Sequence, residues 1–270
     1  MVILDVVESP DNSLGGARRA LRRLAELAAT LWGYTLLVLW TLLGIALFPV
    51  LFVAWKLATR WSAGRIMRHF IWLYGRGWVA AFSPFVRFRR EGLEQLRLAR
   101  PSILVVNHLS FFDTYCMGLL PIHDVTFAVR AWPFRMFWYG RFMRLAGYLD
   151  VETAGWEEVR AAAERTLAAG GHLLFFPEGH RSRDGRLQRF YSGAFRLATE
   201  TGAPLVPLCI TGTDRLLPPG RLSLAPARVT LRALAAIDPG PFRGAEGHRE
   251  LMREVKQRMA ENLREMGAKG

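Results

Sequence analysis

The chain has 270 residues, enough to bury one sizeable core and carry an appendage, and a formal net charge of +13. Nine tryptophans, 17 phenylalanines and a mean hydropathy above zero make it too apolar for an ordinary soluble nucleic-acid binder. They direct the positive charge towards a membrane surface or a phosphorylated ligand. The only cysteines, Cys116 and Cys209, lie in apolar stretches, which fits buried thiols in a reducing compartment and excludes a disulfide framework.

Along the chain, GGARRALRRLAEL comes first, an amphipathic lead-in with Leu21, Leu24 and Ala25 backed by arginines. From Leu27 to Trp55 no residue carries a formal charge, which exceeds the roughly 20 apolar residues of a spanning helix. It begins too late and lacks the small-residue site of a signal peptide. One transmembrane helix is the plain reading. The flanks favour another: Arg18, Arg19, Arg22 and Arg23 precede the run, and Lys56, Arg60, Arg65 and Arg68 follow it. A single span concentrates basic residues on one side, whereas a hairpin that dips in and returns has them on both. Gly44 or Pro49 would mark its bend. A second apolar segment, FIWLYGRGWVAAFSPF, carries Trp72, Tyr74 and Trp78 as an interfacial belt. Residues 1–85 are therefore expected to be N-terminal membrane-associated helices.

Residues 86–270 predict an α/β domain with a mostly parallel central sheet flanked by helices. The expected strands are 86–90, 102–106, 125–130, 147–151, 172–176, 204–210 and 228–234. SILVV, HLLFF and LVPLCI are apolar on both faces, as central parallel strands are. Helices are expected over 110–120, 134–146, 155–169 and 190–202. A C-terminal amphipathic helix near 247–266 has Leu251, Val255, Met259 and Leu263 on one face. Such a sheet binds ligands beyond the carboxyl ends of its strands. Three polar clusters fall there: NHLSFFD after SILVV, PEGHRSRDG after HLLFF, and TGTDR after LVPLCI.

NHLSFFD supports two readings. Ser110 as a helix N-cap with Asp113 three residues on has the spacing of a capping box. The same geometry lets the Asp113 carboxylate orient the imidazole of His108, whose other nitrogen is then a general base. No GxSxG elbow occurs and neither cysteine adjoins a histidine, so the base would activate a substrate hydroxyl or water. In PEGHRSRDG, Arg181 and Arg183 sit in a turn with two glycines, suited to phosphate. Glu178 beside them would position the arginines or accept a hydrogen bond from substrate. His123, His172 and His180 have no metal-ligand spacing, so no metal is expected.

NHLSFFD resembles the N-H-x4-D motif of the glycerolipid acyltransferases typified by 1-acylglycerol-3-phosphate acyltransferase. FFPEGHRSRDG resembles their F-P-E-G-x-R-S motif, and VPLCITGT their fourth motif. The second motif is weaker, with Arg130 where lysine is common and Gly140 at its glycine; Thr153 stands about where an arginine is frequent. The resemblance covers roughly 86–215. It implies His108 as general base, Asp113 as its partner, and Glu178, Gly179, Arg181, Ser182 and Arg130 as substrate-binding residues. It implies transfer of a fatty acyl group from an acyl-CoA or acyl carrier protein thioester to a lysophospholipid hydroxyl, foremost 1-acyl-glycerol-3-phosphate, without cofactor. It further implies an N-terminal two-helix membrane motif and a place on the inner membrane with the catalytic domain facing the cytoplasm. The departures leave open another acceptor, such as an amino-acid-containing lysolipid. A non-catalytic lipid binder is the alternative from another class. Nucleic acid is not an expected partner, because no nucleic-acid motif is present.

Overall fold

The computed structural model describes residues 11–94, 96, 101–137, 139–218 and 220–268. Residues 1–10 of the expected membrane-associated segment lie outside them. Helix α1 (Asp11–Ala58) is a single helix of 48 residues. It contains one stretch long and apolar enough to cross a membrane, Arg19–Ala58. Helix α2 (Ala63–Phe82) returns along it, its start capped by Ser62, whose Oγ accepts the Arg65 N–H. Contacts between them run in opposite senses: Trp32 Nε1 donates to Ala81 O, Trp40 stacks on Tyr74, Phe48 meets Phe70 and Trp55 meets His69.

This corrects the expected bend. A hairpin is present, but its turn lies at 59–62 and its arms are α1 and α2; neither Gly44 nor Pro49 breaks α1. A proline removes one helical hydrogen bond. Here the helix is pinned to α2 on both sides of Pro49, at Phe48 and Trp55, which holds the axis through the defect.

Seven strands follow: β1 (Val86–Glu91), β2 (Ile103–Val106), β3 (Val125–Val129), β4 (Leu149–Asp150), β5 (His172–Phe175), β6 (Leu205–Thr211) and β7 (Ala227–Ala233). Their order is β1-β7-β6-β2-β5-β3-β4. Every pairing is parallel except β6 with β7, so β1 and β7 run against the other five. Every residue of β2 and β5 is buried, as expected of central strands. Strand β4 is only two residues long, at the sheet edge, where five were expected.

The helices between strands are shorter than their sequence patterns. Helix α3 (Asp113–Cys116) is one turn, continued by a 3-10 turn over Met117–Leu119. The pattern at 134–146 divides into α4 (Ala131–Phe134) and α5 (Tyr139–Ala146), with residue 138 outside the described residues. Helices α6 (Trp156–Ala168), α7 (Gly193–Thr201), the short α8 (Thr213–Leu216) and α9 (Gly247–Ala268) complete the chain. One face of the sheet packs on α2, with Trp78 and Phe82 against Leu104, Val106, Val229 and Leu231. The other buries Ile103, Val105 and Leu173 under α6, α7 and α9. The α9 stripe is as its spacing predicts: Leu251, Val255 and Met259 are fully buried. Each such side chain contributes about 1.5–3 kcal/mol relative to exposure.

Candidate active site

Beyond Val106 the chain leaves β2 but stays in register with β6 through a side chain. Asn107 Nδ2 donates to Ile210 O at 2.9 Å, and its Oδ1 accepts the Ile210 N–H at 2.8 Å. The amide copies a backbone pair and lets the next residue turn away without orphaning the ladder. That residue is His108. Its Nδ1 lies 2.7 Å from Asp113 Oδ2, which also accepts the N–H groups of Leu109 at 2.6 Å and Ser110 at 2.9 Å. Oδ2 already accepts two N–H groups, so the fitting contact from the ring is a third donor, Nδ1–H, the tautomer that leaves Nε2 turned away from Asp113 as the acceptor. Asp113 is fully buried, whereas the His108 side chain remains 17% exposed and stacks on Phe176 at 4.3 Å.

Ser110 is not the helix cap that its spacing predicts. Helix α3 starts at Asp113 with Phe112 at the cap position, and Ser110 Oγ is 3.4 Å from the Phe112 N–H. The carboxylate of Asp113 takes the turn's N–H groups instead and delivers itself to the imidazole.

The β5 end supplies a clamp. Glu178 Oε1 accepts the His108 N–H at 2.8 Å, and Oε2 accepts the Gln188 N–H at 2.9 Å. Ser182 N–H donates to His108 O at 2.7 Å. The backbone of His108 is thus held on both sides by residues some seventy positions later. Glu178 is 1% exposed and Ser182 3%. Both oxygens of Glu178 accept backbone N–H groups and, among the described residues, it pairs with no arginine, so it braces the histidine. Burial pushes its carboxyl above the ordinary glutamate range, against the lowering effect of the two N–H bonds and of the nearby histidines. The Ser182 hydroxyl lies 2.9 Å from Asp184 Oδ1 and 2.8 Å from Arg186 O, closing the turn. Gly179 has φ +68°, and a Cβ there would come within 2.7 Å of the Tyr191 ring.

Arg181 is exposed and, among the described residues, has no ion pair or side-chain hydrogen bond. Arg130, one residue past β3, is engaged: its Nε donates to Glu152 Oε1 at 3.1 Å, its Nη2 donates to the same oxygen, and the Ala131 N–H meets Oε2 at 3.0 Å. Thr153 turns back onto Asp150 through its N–H at 3.0 Å and its hydroxyl. Along the sheet's edge the order is therefore His108 after β2, the clamp and Arg181 after β5, Arg130 after β3 and Glu152 after β4. Cys116 is buried, which pushes its thiol well above the usual range; Cys209 is pushed up to about 12. Neither is an activated nucleophile.

Asn107, Phe176, Glu152 and Gln188 escape a reading of the sequence. Asn107 lies beside the histidine, but its partner Ile210 is 103 positions away. Gln188 carries no local sequence signal: its backbone N–H holds Glu178, ten positions earlier, and its side-chain Nε2 donates to Asp184 Oδ1 at 2.7 Å and Arg186 O at 2.9 Å.

Residues 87–211 match the family model for acyltransferases. The chain is 33% identical over 161 residues to a chloroplastic 1-acyl-sn-glycerol-3-phosphate acyltransferase of Arabidopsis thaliana, covering 58% of this chain and 44% of that one. With a 1-acyl-sn-glycerol-3-phosphate acyltransferase of Chlamydomonas reinhardtii it shares 31% identity, covering 73% of this chain and 60% of that one. The match thus spans less than two thirds of either relative's own length. Among solved structures it is similar to the 1-acyl-sn-glycerophosphate acyltransferase PlsC of Thermotoga maritima, with a TM-score of 0.74 and 25% identity, covering 92% of this chain and 98% of that one. Family model, relatives and fold agree with the motifs around His108 and Glu178, and the chain is similar to the 1-acyl-sn-glycerol-3-phosphate acyltransferases across its α/β part.

Proposed function

We propose that the protein is a membrane-bound O-acyltransferase. It moves a fatty acyl group from an acyl-CoA or acyl carrier protein thioester to the free hydroxyl of 1-acyl-glycerol-3-phosphate, giving phosphatidic acid. The observation that carries this reading is the His108–Asp113 pair, set at the end of β2 with its donor side fixed by a buried carboxylate. Nε2 of His108 takes the proton of the acceptor hydroxyl as that oxygen attacks the thioester carbonyl. Asp113 stabilises the imidazolium. Collapse of the tetrahedral intermediate breaks the carbon–sulfur bond, and the departing thiolate takes the proton back from Nε2. No acyl-enzyme forms. Arg181, free and forked, binds the acceptor phosphate. Gly179 lets the ligand approach the backbone, while Glu178 and Ser182 hold the histidine in place. The apolar stretch of α1 and its basic flanks support docking to the inner membrane, with the α/β part facing the cytoplasm.

A second acceptor class has its own support. Arg130, expected to add a cation for phosphate, already faces Glu152. A positive and a negative group side by side suit an acceptor that carries an amine as well as an anion. Incubating reconstituted protein with labelled acyl-CoA or acyl carrier protein and a panel of lysolipids separates the two. Acylation of 1-acyl-glycerol-3-phosphate above the rest supports the first reading; preference for an amine-bearing lysolipid replaces it; no product with any acceptor overturns both.

A further inference from the structure

The apolar face of α1 continues onto a loop far away in sequence. Leu27, Leu31, Tyr34, Val38, Leu42 and Ile45 recur at steps of three and four, share one face of the helix and are all exposed. At about 1.5 Å per residue the row is roughly 27 Å long, close to the thickness of a bilayer's hydrocarbon core.

Segment 220–226, which leads into β7, is seated beside this row. Leu224 N–H donates to Thr30 Oγ1 at 2.9 Å. The Leu224 side chain is buried against Gly33, where even a Cβ would come within 2.5 Å of it. Tyr34, a member of the exposed row, donates its hydroxyl to Leu222 O at 2.8 Å. Leu222 itself is 80% exposed and follows Arg221, also exposed. A lone exposed leucine is ordinary. One pinned to the edge of an uncharged helical face, beside an arginine, extends that face. The segment also reaches the site, because Ala225 N–H donates to Leu216 O at the end of α8, which follows β6 directly.

We propose that Leu222 inserts, together with this face of α1, into an anionic phospholipid bilayer, making segment 220–226 a second membrane contact beside the mouth of the active site. This rests on the membrane-bound reading above. A protein partner fits less well, since interfaces have a polar rim and α1 has no charged residue from Leu27 to Trp55. The insertion is shallow. Thr30 and Tyr34 lie only about 10–17 Å along the helix from Arg23, and Arg221 adds to that basic flank, at the level of lipid headgroups.

The test uses the full chain in vesicles of phosphatidylglycerol and phosphatidylcholine. Variants with one added cysteine each, Leu222→Cys, Leu31→Cys and Arg249→Cys, carry an environment-sensitive fluorophore; Cys116 and Cys209 are buried and stay unlabelled. Lipids brominated near the headgroup end of the chain should quench the labels at 222 and 31 and leave the one at 249, on α9, unaffected. Quenching at 31 with the label at 222 behaving like that at 249 would overturn the proposal and leave the membrane-bound reading standing. Quenching at neither would overturn both. As a functional arm, Leu222→Asp should raise KM for a vesicle-borne acceptor about tenfold, with turnover of a short-chain acceptor dispersed in detergent unchanged. Equal effects on both acceptors, or none, would count against insertion.

Discussion

Asp113 Oδ2 accepts three hydrogen bonds, one from an imidazole and two from its own turn. A substitution there has a structural and a chemical component that separate. Asp113→Asn keeps the shape and one acceptor oxygen, so the turn should survive with a loss near the 1 kcal/mol of a helix cap. The imidazolium loses its counter-charge and turnover should fall steeply. His108→Ala should lower kcat by about 10²–10⁴ with little change in Tm. Melting curves and initial rates on both variants decide; a folded His108→Ala protein with near-normal turnover would remove the histidine from the chemistry. Arg181 gives a different signature. Arg181→Ala should raise KM for the phosphate-bearing acceptor, and Arg181→Lys should recover part of it, since the charge returns without the fork. An unchanged acceptor kcat/KM in Arg181→Ala would show that the phosphate binds elsewhere. Much of this was legible in the sequence because His108 and Asp113 are five positions apart and a single turn joins them. The bonds of Glu178 are hidden for the opposite reason. Its neighbours in sequence are arginines, while its partners in space are backbone N–H groups of residues 108 and 188.

At the scale of elements, the site is held by ties between strand ends that no local pattern announces. The apolar runs gave all seven strands, because β2, β5 and β6 are buried on both faces and hydropathy reports that directly. Side chains that replace backbone partners, such as Asn107, are invisible to hydropathy. Asn107→Ala leaves the Ile210 N–H and C=O unpaired in a buried strand and should cost about 1–3 kcal/mol. Glu178→Gln should lose a similar amount, because an amide N–H then faces a backbone N–H. Both should lower kcat through His108 while leaving donor KM nearly unchanged. Urea unfolding and steady-state kinetics on the same samples check this; normal kcat in a destabilised Glu178→Gln would mean that the clamp serves folding alone. The hairpin was half legible. Basic residues at both ends indicate a return, but the bend expected at Gly44 or Pro49 is absent, because the contacts of Phe48 and Trp55 with α2 hold the helix straight through. With α1 and α2 antiparallel, tags at the two chain ends should be equally accessible in sealed vesicles. Opposite accessibility would establish a simple span.

Across the whole molecule, the sheet separates chemistry from a pH-sensitive anchor at its other end. β5 carries the clamp beyond Phe175 and begins at His172, which is buried. His172 N–H donates to Asp124 O at 2.8 Å, and its Nδ1 accepts the Ser102 N–H at 3.2 Å, 2.9 Å from the Ser102 hydroxyl. That arrangement requires the neutral ring with its proton on Nε2. Burial lowers the pKa of His172 from the ordinary 6.5, against a smaller raising effect of Asp124. Between the lowered native value and 6.5 the unfolded chain binds more protons than the folded one, so stability rises with pH across that interval. The contribution is complete above about 6.5 and is lost as the pH falls below it. His172→Asn keeps an acceptor for Ser102 and removes the titration. Unfolding in detergent at about pH 7.5 and about pH 5.5 should show the parent protein losing more stability on acidification than the variant. The active-site pair, at the opposite end of β5, should keep its turnover at the higher pH in both. An equal acid loss in the two proteins would place the sensitive group elsewhere.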